Sequence, residues 1–120
     1  MQRFLFLFFF CGLVSCSKDV VHESLKKPTS CDSSAFSYRN DIQPIIANNC
    51  AFSGCHVPGG AGQYDYRDYA HLADRIRNGR VQERIQLPID NILHMPQGFN
   101  LSECDYFKLK SWIDQGFPEN

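Results

Sequence analysis

Apolar positions recur at helical spacing in three parts of the chain, and no alternating apolar–polar pattern of any length occurs. In "NDIQPIIANNC", residues 40–50, Ile42, Ile45 and Ile46 fall on one face of a short helix that delivers Cys50. Asn40 or Asp41 supplies the capping side chain. Pro44 is tolerated because the early N–H groups of a helix lack intrahelical partners. In "DYRDYAHLADRIRNG", residues 65–79, Tyr69, Leu72 and Ile76 share a face, and Asn78-Gly79 ends the helix. "RVQERIQ", residues 80–86, reads as a further helical turn. The clearest element lies in "LSECDYFKLKSWIDQG", residues 101–116. Ser102 and the acid three residues on, Asp105, mark its start, Tyr106, Leu109, Trp112 and Ile113 form its apolar face, and Gly116 closes it. "GCHVPGGAGQ" (54–63) and "LPIDNILHMPQGFN" (87–100) read as loops. The pattern predicts a small all-α domain of three to four short helices and long loops. So few short helices barely offset chain entropy. A further constituent is therefore expected in the middle, and a large, flat, apolar cofactor would serve.

The ends divide the chain. Arg3 precedes a short apolar run, Phe4 to Val14, which has the form of a targeting segment and is too short to span a bilayer comfortably. The run ends in "LVSC", which resembles a bacterial lipobox, with Cys16 as the lipid-bearing residue. An ordinary secretory signal cut nearby is the alternative. Both imply export, and the lipobox implies anchoring by several acyl chains. Residues 1–15 are thus expected to be a lipoprotein signal peptide. Residues 16–30, which are polar and include His22, read as a flexible tether, and residues 31–120 as the domain. The expected location is periplasm-facing, or the outer membrane of a Gram-negative bacterium.

Removing residues 1–15 takes one of 12 basic residues, Arg3, and leaves 11 against 13 acidic, a formal balance of −2. Such a chain, with no basic run, offers no footprint for nucleic acid. Five of the six cysteines remain, since Cys11 leaves with the signal. With Cys16 acylated, Cys31, Cys50, Cys55 and Cys104 form an even set in an oxidising compartment. Cys50 and Cys55 lie close together just before His56, which suggests one task for that pair and a structural bridge for Cys31 with Cys104.

Cys50 and Cys55 are separated by four residues, where a two-residue gap followed by Cys-His would read directly as covalent haem attachment. Attachment needs two thiols that reach two vinyl groups on one porphyrin edge, and a histidine placed to take the iron. Extra residues between the thiols can bulge away from the ring, so Cys50-x4-Cys55-His56 is compatible with haem c. Two other readings stand beside it: a Cys50–Cys55 disulfide in an exported binding module, and a zinc site that would still lack a fourth ligand. Low-spin electron-transfer haems often take methionine as the second axial ligand. After removal of the signal the chain holds one methionine, Met95, in "HMPQG". A lone methionine can equally fill a gap in a core. His94 and His71 are rival axial candidates. The second nitrogen of His56 is expected to bond a backbone carbonyl within 57–60, and Arg75, Arg77, Arg80 or Arg84 to meet a haem propionate. Trp112, Ile42 and Ile46 are core candidates close to such a group. Under the haem reading, Cys50, Cys55, His56 and Met95 should line one cavity.

"YRNDIQPIIANNCAFSGCH", "GGAGQYDYRDYAHL", "HMPQG" and "LSECDYFKLKSWIDQGFPEN", in that order, resemble a c-type cytochrome domain, specifically the planctomycete-type monohaem group. The resemblance covers residues 38–120 and departs from the commonest cytochrome pattern in the wider cysteine gap. It implies a class I-like cytochrome c fold around one covalently bound haem c. Cys50 and Cys55 would be the attachment sites, with His56 and Met95 as axial iron ligands. The flanking Cys31 and Cys104 are similar to extra cysteines found in some members. The implied role is that of an electron carrier with no catalytic residues and no small-molecule substrate. It would exchange single electrons with transient donor and acceptor redox proteins, held at a membrane by its lipid anchor. The alternatives of other classes are the non-redox module stapled by Cys50–Cys55 and Cys31–Cys104, and a haem sensor or peroxidase-like domain in which Met95 detaches.

Overall fold

The structure is a computed structural model that describes residues 26–29, 31 and 35–120. The signal segment expected at 1–15, Cys16 and most of the 16–30 tether lie outside the described residues. Among the described residues the chain is helical and without strands, in agreement with an all-α domain. No helix among them is long and apolar enough to cross a membrane.

A π-helical turn at Tyr38–Ile42 runs directly into α1, Gln43–Asn49. The cap is Ser37 and not Asn40 or Asp41: its hydroxyl accepts from the Asn40 N–H at 3.1 Å, while the Asp41 carboxylate accepts from the Ser37 N–H at 2.9 Å. The helical path therefore starts before the position read from the sequence. Pro44 gives a physical reason for the wide first turn. A proline ring clashes with the carbonyl four residues earlier, here Asn40, and brings no N–H to a regular ladder. Ile42, Ile45 and Ile46 are all buried.

Helix α2, Tyr69–Arg77, is capped by the Asp68 carboxylate, which accepts from the Ala70 N–H at 2.8 Å. Leu72, Ala73 and Ile76 are its buried positions, with Tyr69 half-buried. After Asn78-Gly79 the chain turns into α3, Arg80–Gln86, which packs against α2. Residues 87–100 form the expected loop. Helix α4, Glu103–Asp114, starts as predicted, with the Ser102 hydroxyl accepting from the Asp105 N–H at 3.0 Å. Its buried residues are Phe107, Leu109, Trp112 and Ile113. Phe107, rather than the half-buried Tyr106, faces inward because Phe36 meets it edge to face, with ring centroids 6.0 Å apart.

Trp112 is the centre of the core, fully buried and stacked on Tyr38 at 5.7 Å. Its indole N–H donates to the Pro118 carbonyl at 3.1 Å, so the last residues fold back over α4. Tyr69 donates its hydroxyl to the Phe117 carbonyl, and Asn120 accepts from the Tyr38 and Arg39 N–H groups. Cys31 and Cys104 are joined as a disulfide, with Cα atoms 5.5 Å apart, and this secures the start of the domain to the first turn of α4.

Candidate functional site

The end of α1 sets the first part of the site. Cys50 caps that helix through its N–H to the Ile46 carbonyl at 2.9 Å. The four residues after it form a closed turn. The Cys55 N–H donates to the Phe52 carbonyl at 3.0 Å, and the His56 N–H returns to the Cys50 carbonyl at 3.1 Å. Ala51 tucks into the core, Ser53 and Gly54 face solvent, and Gly54 takes a positive φ of 86° that a side chain would resist. The wide gap is thus taken up by a closed turn, of which Phe52 and Gly54 border the same cavity as both cysteines and His56.

Both thiols are free. Burial, with a smaller contribution from nearby Cys55, raises the Cys50 thiol to about 12, so it stays protonated at neutral pH. Since the thiolate is the attacking species in disulfide exchange, Cys50 is poorly suited to that chemistry.

His56 is held on three sides. Its Nδ1 lies 3.0 Å from the carbonyl oxygen of Gln63, where an N–H donates and leaves Nε2 available. The expected partner lay within 57–60, but the chain runs further before it doubles back. Tyr66 stacks face to face on the imidazole at 3.9 Å, and the Tyr66 N–H donates to the His56 carbonyl. Gly62 passes so close to the ring that a Cβ there would lie 2.6 Å from Nδ1. Neither Gln63 nor Tyr66 carried a signal in the sequence. The glycine-rich run before them was the only hint that backbone must approach something closely.

Cys50, Cys55, His56 and Met95 all line one cavity of about 630 Å³, which lies in the ~300–1,000 Å³ range of small-molecule and cofactor sites. Ile46, Leu72, Val81, Ile85 and Leu109 supply its apolar walls, drawn from all four helices. Trp112 and Ile42 do not line it; of the three core candidates, only Ile46 does. Met95 arrives on the 87–100 loop, where its N–H donates to the Arg84 carbonyl at 3.1 Å. Pro96, joined to Met95 by a cis peptide bond, is buried beside it.

Arg75, Arg80 and Arg84 also reach the cavity, whereas Arg77 lies elsewhere, near the Phe117 ring. Arg75 and Arg84 each hold a buried Nε without a hydrogen-bond partner. Arg75 pairs with Asp74 at 2.7 Å and lies 4.2 Å over the Tyr64 ring. Arg84 donates to the Leu93 carbonyl at 3.2 Å. Arg80 is committed to Glu83 at 3.0 Å.

The rival histidines are placed differently. His71 is exposed on α2, with Nδ1 3.2 Å from the Asp65 carbonyl oxygen, and does not line the cavity. His94 is buried, and both its ring nitrogens face backbone carbonyls, so it too is outside the lining. Among the described residues, no three His, Cys, Asp or Glu side chains converge to hold an isolated metal ion. A second cavity of about 400 Å³, at Tyr38, Arg39, Arg67 and Glu119, contains no cysteine, histidine or methionine.

The main cavity suits a covalently bound haem on its own terms. Two free thiols and an imidazole with one available nitrogen sit along one part of the wall, and a thioether projects from a distant loop. The walls are mostly apolar, and two arginines carry unpaired buried N–H groups that suit carboxylates. Compared with protein-family models, curated proteins and solved structures, the chain matches none of them.

Proposed function

We propose that this chain is a lipid-anchored monohaem c-type cytochrome with a class I-like fold, carrying single electrons between redox proteins at a membrane surface. The observation that carries the reading is the meeting of Cys50, Cys55, His56 and Met95 in one apolar cavity, although Met95 is far from the others in sequence. When bound, haem c supplies an iron that cycles between ferric and ferrous states. Cys50 and Cys55 provide the thiols that bond its vinyl groups. His56 offers Nε2, its ring fixed by the Gln63 carbonyl and the Tyr66 stack. Met95 offers its thioether from the opposite end of the chain segment. Arg75 and Arg84, whose buried Nε groups lack partners, would be the residues to meet its propionates.

On this reading no residue is assigned a catalytic step. The residues hold one group, exclude water with apolar side chains and set its potential through the axial donors. Partners on this reading are donor and acceptor proteins met through small, wet interfaces. Export and acylation at Cys16 complete the proposal and rest on the "LVSC" stretch.

The test is a pyridine-haemochrome spectrum, with intact mass, on protein from a host that attaches haem c. One covalently bound haem with two thioethers is expected; a colourless protein of unmodified mass would overturn the reading in favour of a disulfide-stapled module. Carbon monoxide should not bind the reduced protein at neutral pH, and Met95→Ala should allow it. Binding to the unaltered protein would point to a sensory or peroxidase-like role.

A further inference from the structure

We propose that His94 is the positioning residue for Met95: its imidazole ties together the two ends of the loop that presents the thioether. The proposal rests on the cytochrome reading for the task given to Met95, while the loop anchoring stands on the burial of the ring between the two loop ends and the hydrogen bond that it donates there.

The 87–100 loop has little apolar burial to hold its shape. Ile89, Ile92, Leu93 and Phe99 are 50%, 83%, 43% and 38% exposed, so its large side chains point mostly into water. His94 is the opposite case, only 3% exposed, and it is the one buried polar or charged residue among the described residues. Its Nδ1 lies 2.7 Å from the Leu87 carbonyl oxygen, just where the chain leaves α3. Its Nε2 lies 3.1 Å from the Phe99 carbonyl oxygen, shortly before α4. One ring therefore spans the loop from entry to exit, and Met95 is the next residue.

The neighbouring backbone follows from that anchor. The His94 N–H closes a turn onto the Asn91 carbonyl at 2.9 Å, and the Met95 N–H meets the Arg84 carbonyl at 3.1 Å. Arg84 also reaches the Leu93 carbonyl, so the residues on both sides of His94 are attached to α3. The alternative fastening, from Gln97 to the Ile92 carbonyl, is long at 3.4 Å and exposed. A neutral imidazole carries one N–H, so His94 donates to one of the Leu87 and Phe99 carbonyls and packs its other nitrogen against the second. Removing the ring would take away that donor and the buried body that fills the space between the two ends of the loop. Sequence adjacency makes His94 look like a competing iron ligand; in the structure both its nitrogens face backbone carbonyls instead.

The test compares His94→Phe, which keeps a planar ring but has no donors, with His71→Phe, an exposed control. In haem-loaded protein, His94→Phe should retain the covalent haem and the far-UV circular dichroism. It should lose the low-spin methionine-ligated spectrum and gain carbon monoxide binding on reduction, with His71→Phe unchanged. Retention of methionine ligation in His94→Phe would overturn the proposal. Hydrogen exchange on the unaltered protein gives a second readout that does not depend on the variant folding. The Met95 amide should exchange at least ~10-fold more slowly than those of Gln97 and Gly98, since only the first has a backbone partner inside the anchored turn. Equal rates would overturn the anchoring. A wild-type chain without haem would sink the cytochrome reading alone, because the exchange contrast would still report on the loop.

Discussion

Gly62 and His56 show how a single residue's absence of side chain can fix a ligand. A methyl group at residue 62 would press on the imidazole at 2.6 Å from Nδ1. Gly62→Ala is therefore expected to tilt the ring away from the Gln63 carbonyl and lower the low-spin fraction without reducing the covalent haem content. Absorption spectra with intact mass check both parts. Cys50 gives a pH-dependent prediction for the chain made without attached haem. Its thiol ionises at about 12 in the folded state against an ordinary 9.0, so between those values the folded state holds more protons than the unfolded one. Stability should be unaffected by this group below 9 and fall as pH rises from about 9 toward 12. Urea midpoints across that window should decline less steeply for Cys50→Ala. At this scale the thiols and His56 were legible because adjacency in sequence brings them together. Gln63, Tyr66 and the anchoring use of His94 were not, since each depends on where a loop returns.

Helix starts are stated locally, and the sequence is most legible at the scale of elements. In α4 the Ser102 hydroxyl and the Asp105 N–H lie three residues apart, and the observed bond is the expected one. Ser102→Ala should cost about 0.5–2 kcal/mol, read as a lowered midpoint in thermal or urea unfolding, with no change in spectrum at low denaturant. The start of α1 was displaced because two plausible caps, Asn40 and Asp41, lay inside a turn that Ser37 already caps. Asp41 takes part by accepting from the Ser37 N–H, so the capping chemistry was right and the order was not. The 87–100 loop has no periodicity to read, and its shape is set by partners on α3 and before α4.

Over the whole molecule, a modest core has to hold both a cross-link and a cavity. The Cys31–Cys104 disulfide closes a sequence separation of 73 residues. By loop-closure entropy such a bridge contributes up to about 4 kcal/mol. Replacing both cysteines by serine should thus lower the unfolding free energy by an amount of that order, measured by urea titration, while leaving the covalent haem content unchanged. A small all-α domain with an apolar cavity gives up packing that a filled core would supply. The side chains around that cavity come from every helix, so no single element carries the site.

The sequence by itself determined the helical class, the apolar faces of α2 and of the π-turn with α1, most of that of α4, and the grouping of Cys50, Cys55 and His56. All of these depend on spacing within a few residues, where chain geometry leaves little choice. Only the tertiary structure decided that Met95 and not His94 or His71 reaches the cavity, and which arginines have N–H groups to spare. It also packed the core candidate Trp112 against Tyr38 and the final residues, away from the cavity wall. Those outcomes depend on how loops close across the fold, and a closing loop is specified by contacts with distant backbone, which no local pattern encodes.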